Sequence, residues 1–229
     1  MMFAIFDMDG LLIDSEPVWM AAQRDLMREL FDVGLTDSQL HAFQGRSSRD
    51  FCQAMAARHA DRGVDVDSLL EALLDRMATA ITDAPLMPGA RELIDWLAGQ
   101  KIPTAIASSS PLSFIEAVVE RHSLPIGVLV SGNEVPRSKP HPAVFERVAM
   151  CLSADPAQCR VWEDSVNGVI AARAAGMVVT AVPDSGHPAP QQFSIADRIH
   201  LNLHDSLAEL QAECRLARTE QQETSCPVC

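Results

Sequence analysis

MMFAIFDMDGLLIDSEP, residues 1–17, opens with a short apolar run that breaks off at an aspartate. Residues 2–6 (MFAIF) have the length of a strand buried on both faces and are too few for a helix. Asp7 and Asp9 follow two apart, and Gly10 lets the backbone turn sharply away. Carboxylates spaced this way at a strand end can divide two jobs. One can be a nucleophile, while the other reaches the leaving group as general acid or base. Their mutual repulsion has to be relieved, and a divalent cation is the natural relief. An acidic turn after an edge strand would account for the pair equally well.

Runs of the same kind recur down the chain. Residues 102–107 (IPTAIA) end at Ser108, and 127–130 are followed by SGNEV. Residues 160–162 end at Glu163 and Asp164, 177–182 (MVVTAV) end at Pro183, and 198–201 read as a last edge strand. Helical patterns fall between them at 88–97, 112–121, 142–151 and 166–175, the last stopping at Gly176. Strands alternating with helices call for a parallel α/β sheet, where ligands bind at the carboxyl edge of the strands. Residues 16–84 differ: they carry helical patterns at 18–30, 37–43, 49–59 and 68–81 and no convincing strand. The expected organisation is an α/β, Rossmann-like core from 1–15 and 85–214, with a small α-helical domain inserted at 16–84. A polar, flexible tail is expected from 215 to 229.

The whole composition narrows the function. With 229 residues, nearly half of them apolar, the chain can bury one good core carrying a smaller insertion. Its net charge of −13 argues against nucleic acid as the main partner, because phosphate backbones favour a basic face. No run reaches the roughly 18–20 apolar residues of a membrane helix. The first residues lack a basic region and cleavage site, so no signal peptide is expected. A cytoplasmic monomer with reduced thiols follows. Cys226 and Cys229 form a terminal C-x-x-C without a second ligand pair, and they read as incidental.

Three further signals stand at strand ends. Ser108 opens Ser108-Ser109-Ser110-Pro111, where a hydroxyl and free amides can bind an anion or simply start a helix. Lys139, in SKPHP, stands in a loop stiffened by Pro140 and Pro142; it is either a fixed ammonium for a phosphoryl group or a solvated charge. His141 in the same loop reads as structural. Glu163 and Asp164 are two adjacent acids after a buried strand, suited to magnesium or to a helix N-terminus.

Taken together, DMDGLLIDSEP, SSSP, SKPHP and EDSVNG occur in an order that resembles the haloacid dehalogenase superfamily, whose phosphatases carry an acid pair, a hydroxyl, a lysine and a second acidic motif. The resemblance runs to about Leu210 and identifies the helical insert with the family's α-helical cap. It implies a magnesium-dependent phosphatase acting on a small phosphorylated metabolite, such as a sugar phosphate. By that resemblance Asp7 attacks phosphorus and becomes an aspartyl-phosphate. Asp9 serves the leaving oxygen and then water, while its carbonyl binds the metal. Ser108 and the Ser109 backbone hold phosphoryl oxygens, and Lys139 balances the charge. Asp7, Asp9 and Asp164 bind magnesium, with Glu163 bound directly or through water.

Within the superfamily the motifs look most like bacterial hexitol-phosphate and 2-deoxyglucose-6-phosphate phosphatases. Dehalogenases lack the second acid, Asp9, and phosphonate-cleaving relatives need a cap lysine, of which residues 16–84 contain none. β-Phosphoglucomutase is the nearer alternative, but its cap-hinge histidine falls here at Trp19. A sugar-phosphate-binding regulator without turnover is the second alternative. Substrate choice is expected from the cap, with Arg46 or Arg49 on sugar hydroxyls or else solvated at a helix start. Trp19 either packs over the substrate or pins the hinge.

Overall fold

The computed structural model describes residues 1–184 and 190–224. Its sheet has six strands: β1 (Phe3–Phe6), β2 (Thr104–Ser108), β3 (Val128–Ser131), β4 (Cys159–Glu163), β5 (Val178–Ala181) and β6 (Arg198–Ile199). They lie in the order β3-β2-β1-β4-β5-β6, and every neighbouring pair is parallel. β1 is thus central, with Phe6 level with Ile106 on one side and Trp162 on the other.

Successive side chains of a strand point to opposite faces, and both faces here are covered. Ala4, Phe6, Ile106 and Trp162 look into one core, where the Phe6 and Trp162 rings stack at 5.0 Å. Phe3, Ile5, Ala105 and Val161 look into the other. The first core is completed by α5 (Ala90–Gly99), α6 (Leu112–Arg121) and α9 (Leu203–Thr224), through Leu93, Ile115 and Leu203. The second is closed by α7 (Ala143–Leu152) and α8 (Val166–Ala174), through Val148 and Ala172. Residues forming β1 are all buried, which explains why the strand reads as one continuous apolar run.

Between β1 and α5 lie four helices: α1 (Glu16–Phe31), α2 (Asp37–His41), α3 (Ser48–Arg58) and α4 (Val66–Asp83). α4 packs against both α1 and α3. Its Leu69, Leu73, Met77 and Ile81 recur at four-residue spacing and are all buried, the stripe expected of a helix with one apolar face. The starts are set locally. Thr36 forms a capping box with Gln39, Ser47 accepts from the Asp50 amide, and Asp65 accepts from the Ser68 amide. No strand interrupts this insert.

The C-terminal end differs from the sequence expectation. The tail expected to be loose from Arg215 is instead helical as far as Thr224, as part of α9. No glycine or proline occurs from Leu203 to Thr224, so nothing stops the helix. Arg218 also donates to Gln100 at 3.3 Å, tying the late turns to the end of α5. Cys52, Cys151, Cys159 and Cys214 are free thiols, whereas Cys226 and Cys229 lie outside the described residues. No helix among the described residues is long and apolar enough to cross a membrane.

Candidate active site

Adjacent parallel strands end together, so the residues closing β1, β2 and β4 meet at one edge. Asp7 follows β1, Ser108 ends β2, and Glu163 ends β4 with Asp164 next to it. Lys139 reaches the same edge from the loop between β3 and α7. Its ammonium is buried, donating to Asp7 Oδ1 at 2.6 Å, Glu163 Oε1 at 2.5 Å and the Ala107 carbonyl at 2.9 Å. The alternative of a solvated lysine is therefore set aside. The Phe145 ring lies 5.1 Å from the same nitrogen.

Carboxylate oxygens of Asp7, Glu163 and Asp164 lie within 4.8 Å of one another, and all three residues are buried. Three acids surround one ammonium, and the protonation of Asp7 and Asp164 registers the excess. Burial pushes the Asp7 carboxyl up to about 8, against the pull of Lys139, and Glu163 and Asp9 add to the rise. Asp164 is raised by burial and then by Asp7 and Glu163. For Lys139 burial acts to lower the pKa, but Asp7 and Glu163 outweigh it and hold the ammonium above its ordinary range. The group fits a hard divalent cation: its donors are all carboxylate oxygens, and Asp164 Oδ1 is buried with no partner among the described residues.

Asp9 stands beside this group but turns its carboxylate elsewhere. Gly10, at φ 79°, carries the chain through the turn; a Cβ there would sit 2.3 Å from Asp164 Oδ2. Oδ1 of Asp9 accepts from Ser15 Oγ at 2.7 Å and from the Trp19 indole at 2.8 Å. Oδ2 accepts from Ser108 Oγ at 3.2 Å and Ser110 Oγ at 2.7 Å. Trp19 is buried and its ring packs near Phe114, so it fastens Asp9 to the start of α1.

Ser109 donates to the Gly45 carbonyl at 2.9 Å, which joins the segment after β2 to the insert. The two arginines part company. Arg46 lies over Phe43 and within 3.8 Å of Asp50, and it borders a small cavity of about 40 Å³ shared with Asp7, Asp9, Glu16 and Trp19. Arg49 pairs with Asp67 at 3.0 Å and borders only an outer groove of about 890 Å³, which Arg46 lines as well.

Sequence reasoning gave no individual role to three residues that touch the site. Ser110 sits in the quoted serine triplet, yet nothing in the triplet says which hydroxyl faces Asp9. Glu16 borders the small cavity, where burial pushes its carboxyl up to about 8, helped by Asp9 and Asp7. Gln44 donates from the insert to Asp164 Oδ2 at 2.9 Å. No local pattern reveals that contact, because the partners are 120 positions apart.

Comparison with known proteins adds a family and two curated relatives. The haloacid dehalogenase-like hydrolase family matches residues 1–176. Hexitol phosphatase B of Escherichia coli strain K12 is 36% identical over 213 residues, spanning 92% of this chain and 94% of that protein. Validoxylamine A 7'-phosphate phosphatase of Streptomyces hygroscopicus subsp. limoneus is 32% identical over 179 residues, spanning 76% of this chain and 82% of the other. Among solved structures, β-phosphoglucomutase from Clostridium difficile superposes with a TM-score of 0.80, covering 94% of this chain and all of that one. Its identity is 18%, so this likeness speaks to the fold alone.

Proposed function

The chain belongs to the haloacid dehalogenase-like hydrolases, and from that premise we propose a magnesium-dependent phosphatase of sugar or sugar-alcohol phosphates that works through an aspartyl-phosphate on Asp7. One arrangement carries the proposal: the buried Lys139 ammonium bridging Asp7 and Glu163, with Asp164 beside them. A fixed cation on the nucleophile and a charge-dense acidic pocket serve phosphoryl transfer, which is mainly positioning and charge stabilisation. The names of both curated relatives support hydrolysis of a phosphorylated small molecule.

In the proposed reaction an oxygen of Asp7 attacks phosphorus as the bond to the leaving oxygen breaks. Asp9 gives its proton to that oxygen, then takes one from the water that attacks the aspartyl-phosphate. This second displacement releases inorganic phosphate and restores Asp7. Ser108, with Ser109, holds phosphoryl oxygens, and Lys139 offsets their charge. Asp7, Glu163 and Asp164, with the Asp9 carbonyl, would hold the magnesium ion, which supplies Lewis-acid charge neutralisation when bound. Residues 16–84 would act as the cap over a core formed by 1–15 and 85–214. Arg46 would meet the substrate's hydroxyls, a role supported by its bordering the same small cavity as the two aspartates. A cytoplasmic location fits the free thiols.

Trp19 bears on the mutase alternative. An indole N–H holds Asp9 but cannot exchange a proton with it, unlike an imidazole. Phosphate release from a panel of hexose and hexitol phosphates, with and without magnesium, tests the proposal alongside Asp7→Asn. Magnesium-dependent release that the variant loses is the expected result. Conversion of glucose 1-phosphate to glucose 6-phosphate without release would overturn it in favour of a mutase.

A further inference from the structure

The loop joining α2 to α3 leaves the insert and lies against the chain that follows Asp164. Three contacts seat it. Asn167 Nδ2 donates to the Gln44 carbonyl at 2.9 Å, and Ser109 Oγ donates to the Gly45 carbonyl at 2.9 Å. Gly45, at φ 72°, meets Ser165 so closely that a Cβ would fall 2.1 Å from its Oγ. With its backbone fixed on both sides, Gln44 is aimed at Asp164, and its Nε2 donates to Oδ2 at 2.9 Å. That donor assignment follows from chemistry, because a carboxylate offers acceptors to the amide.

Two atoms beside this contact are left over. Gln44 Oε1 and Asp164 Oδ1 are both buried, and neither has a partner among the described residues. A buried acceptor without a donor is costly, and two of them flanking one hydrogen bond call for a cation and the water it carries. Asp164 is one of the three clustered carboxylates, and Gln44 donates to it from the insert.

We infer that Gln44 is a positioning residue for the divalent cation: the insert holds Asp164 Oδ2 through it and leaves Oδ1 as the ligand atom. Outer partners of metal ligands typically change metal affinity 10–100-fold when removed. Because Gln44 belongs to the insert and Asp164 to the core, cation binding and seating of the 44–45 loop are coupled. Coupling of this kind is reciprocal: each event favours the other to the same extent. The inference rests on the proposed assignment of a divalent cation to Asp7, Glu163 and Asp164.

Calorimetric titration of the full-length protein with magnesium, in the absence of substrate, tests it. Gln44→Leu keeps the volume and removes the amide, and should weaken magnesium about 10-fold. Gly45→Val keeps the amide but holds the loop off Ser165, and should weaken magnesium by a similar factor. Limited proteolysis gives the second readout: magnesium should protect residues 43–48 in the parent and not in Gln44→Leu. Either variant binding magnesium within about twofold of a binding parent would overturn the inference while leaving the proposed function standing. A parent that binds no magnesium would overturn both.

Discussion

The indole N–H of Trp19 donates to Oδ1 of Asp9 across 2.8 Å, and Ser15 Oγ shares that oxygen at 2.7 Å. The other oxygen, Oδ2, is held by Ser108 and Ser110. The carboxylate therefore spans two groups of residues, one at the start of α1 and one at the end of β2. If Ser108 turns to a phosphoryl oxygen, Ser110 still holds Oδ2. Ser15 and Trp19 keep Oδ1 fixed.

Trp19→Phe removes the N–H and keeps a ring beside Phe114. Loss of Asp9 alignment should matter most where the leaving group needs a proton, because the water step is common to both substrates. We expect turnover of a hexitol phosphate to fall about 10-fold, with p-nitrophenyl phosphate changed less than about threefold. Steady-state rates on the two substrates check this. Equal losses would reduce Trp19 to a packing residue.

Much of the fold was legible because a parallel sheet buries both faces of its strands. Phe3–Phe6 and Thr104–Ser108 are wholly buried; the first reads as an uninterrupted apolar run and the second as a short one between two hydroxyl residues. Their carboxyl ends were then the only places where Asp7, Ser108 and Glu163 could meet. What stayed hidden needs tertiary structure. Gln44 finds Asp164 only because the insert folds back on the core, and Ser110 reaches Asp9 only through the turn after β2. α9 was missed for another reason. Residues 215–219 are all exposed, so no buried apolar stripe announces a helix there.

Lys139→Met should damage stability as well as activity. The substitution leaves Asp7 and Glu163 buried without their shared partner. Breaking a buried ion pair from one side costs about 3–5 kcal/mol, which lowers Tm by roughly 10 °C in a chain of this size. Thermal melts without magnesium measure it. A variant melting within about 2 °C of the parent would show that the bridge contributes little to the fold.

Stability of the metal-free protein should depend on pH through Asp7. Burial and its acidic neighbours put this carboxyl at about 8 in the fold, whereas an unfolded aspartate sits near 4. A raised acid takes up a proton on folding. Its contribution is therefore full at low pH and is lost as pH climbs from about 4 through 8. Glu16, also pushed to about 8, acts in the same direction. In chelator, Tm should fall between pH 6 and pH 8, and Asp7→Asn should flatten that slope. Magnesium, which needs ionised ligands, should raise Tm more at pH 8 than at pH 6. A metal-free Tm that climbs over the same interval would contradict the assignment.

Arg46 and Arg49 are three residues apart, one before and one after the Ser47 cap of α3, yet they should behave differently. Arg46 borders the cavity that holds Asp7 and Asp9, and its nearest acid, Asp50, is 3.8 Å away, so its guanidinium is free to turn to a ligand. Arg49 is engaged with Asp67 at 3.0 Å, and both side chains are largely in solvent. An exposed pair of that kind contributes at most about 1 kcal/mol. Arg46→Ala should raise KM for a hexitol phosphate about 10-fold while kcat changes less than about threefold, the pattern of lost binding shared by ground and transition states. Arg49→Ala should leave both constants within about twofold. If the two variants exchanged these patterns, the sugar would have to extend into the outer groove beside Arg49, and the small cavity would hold little more than the phosphoryl group.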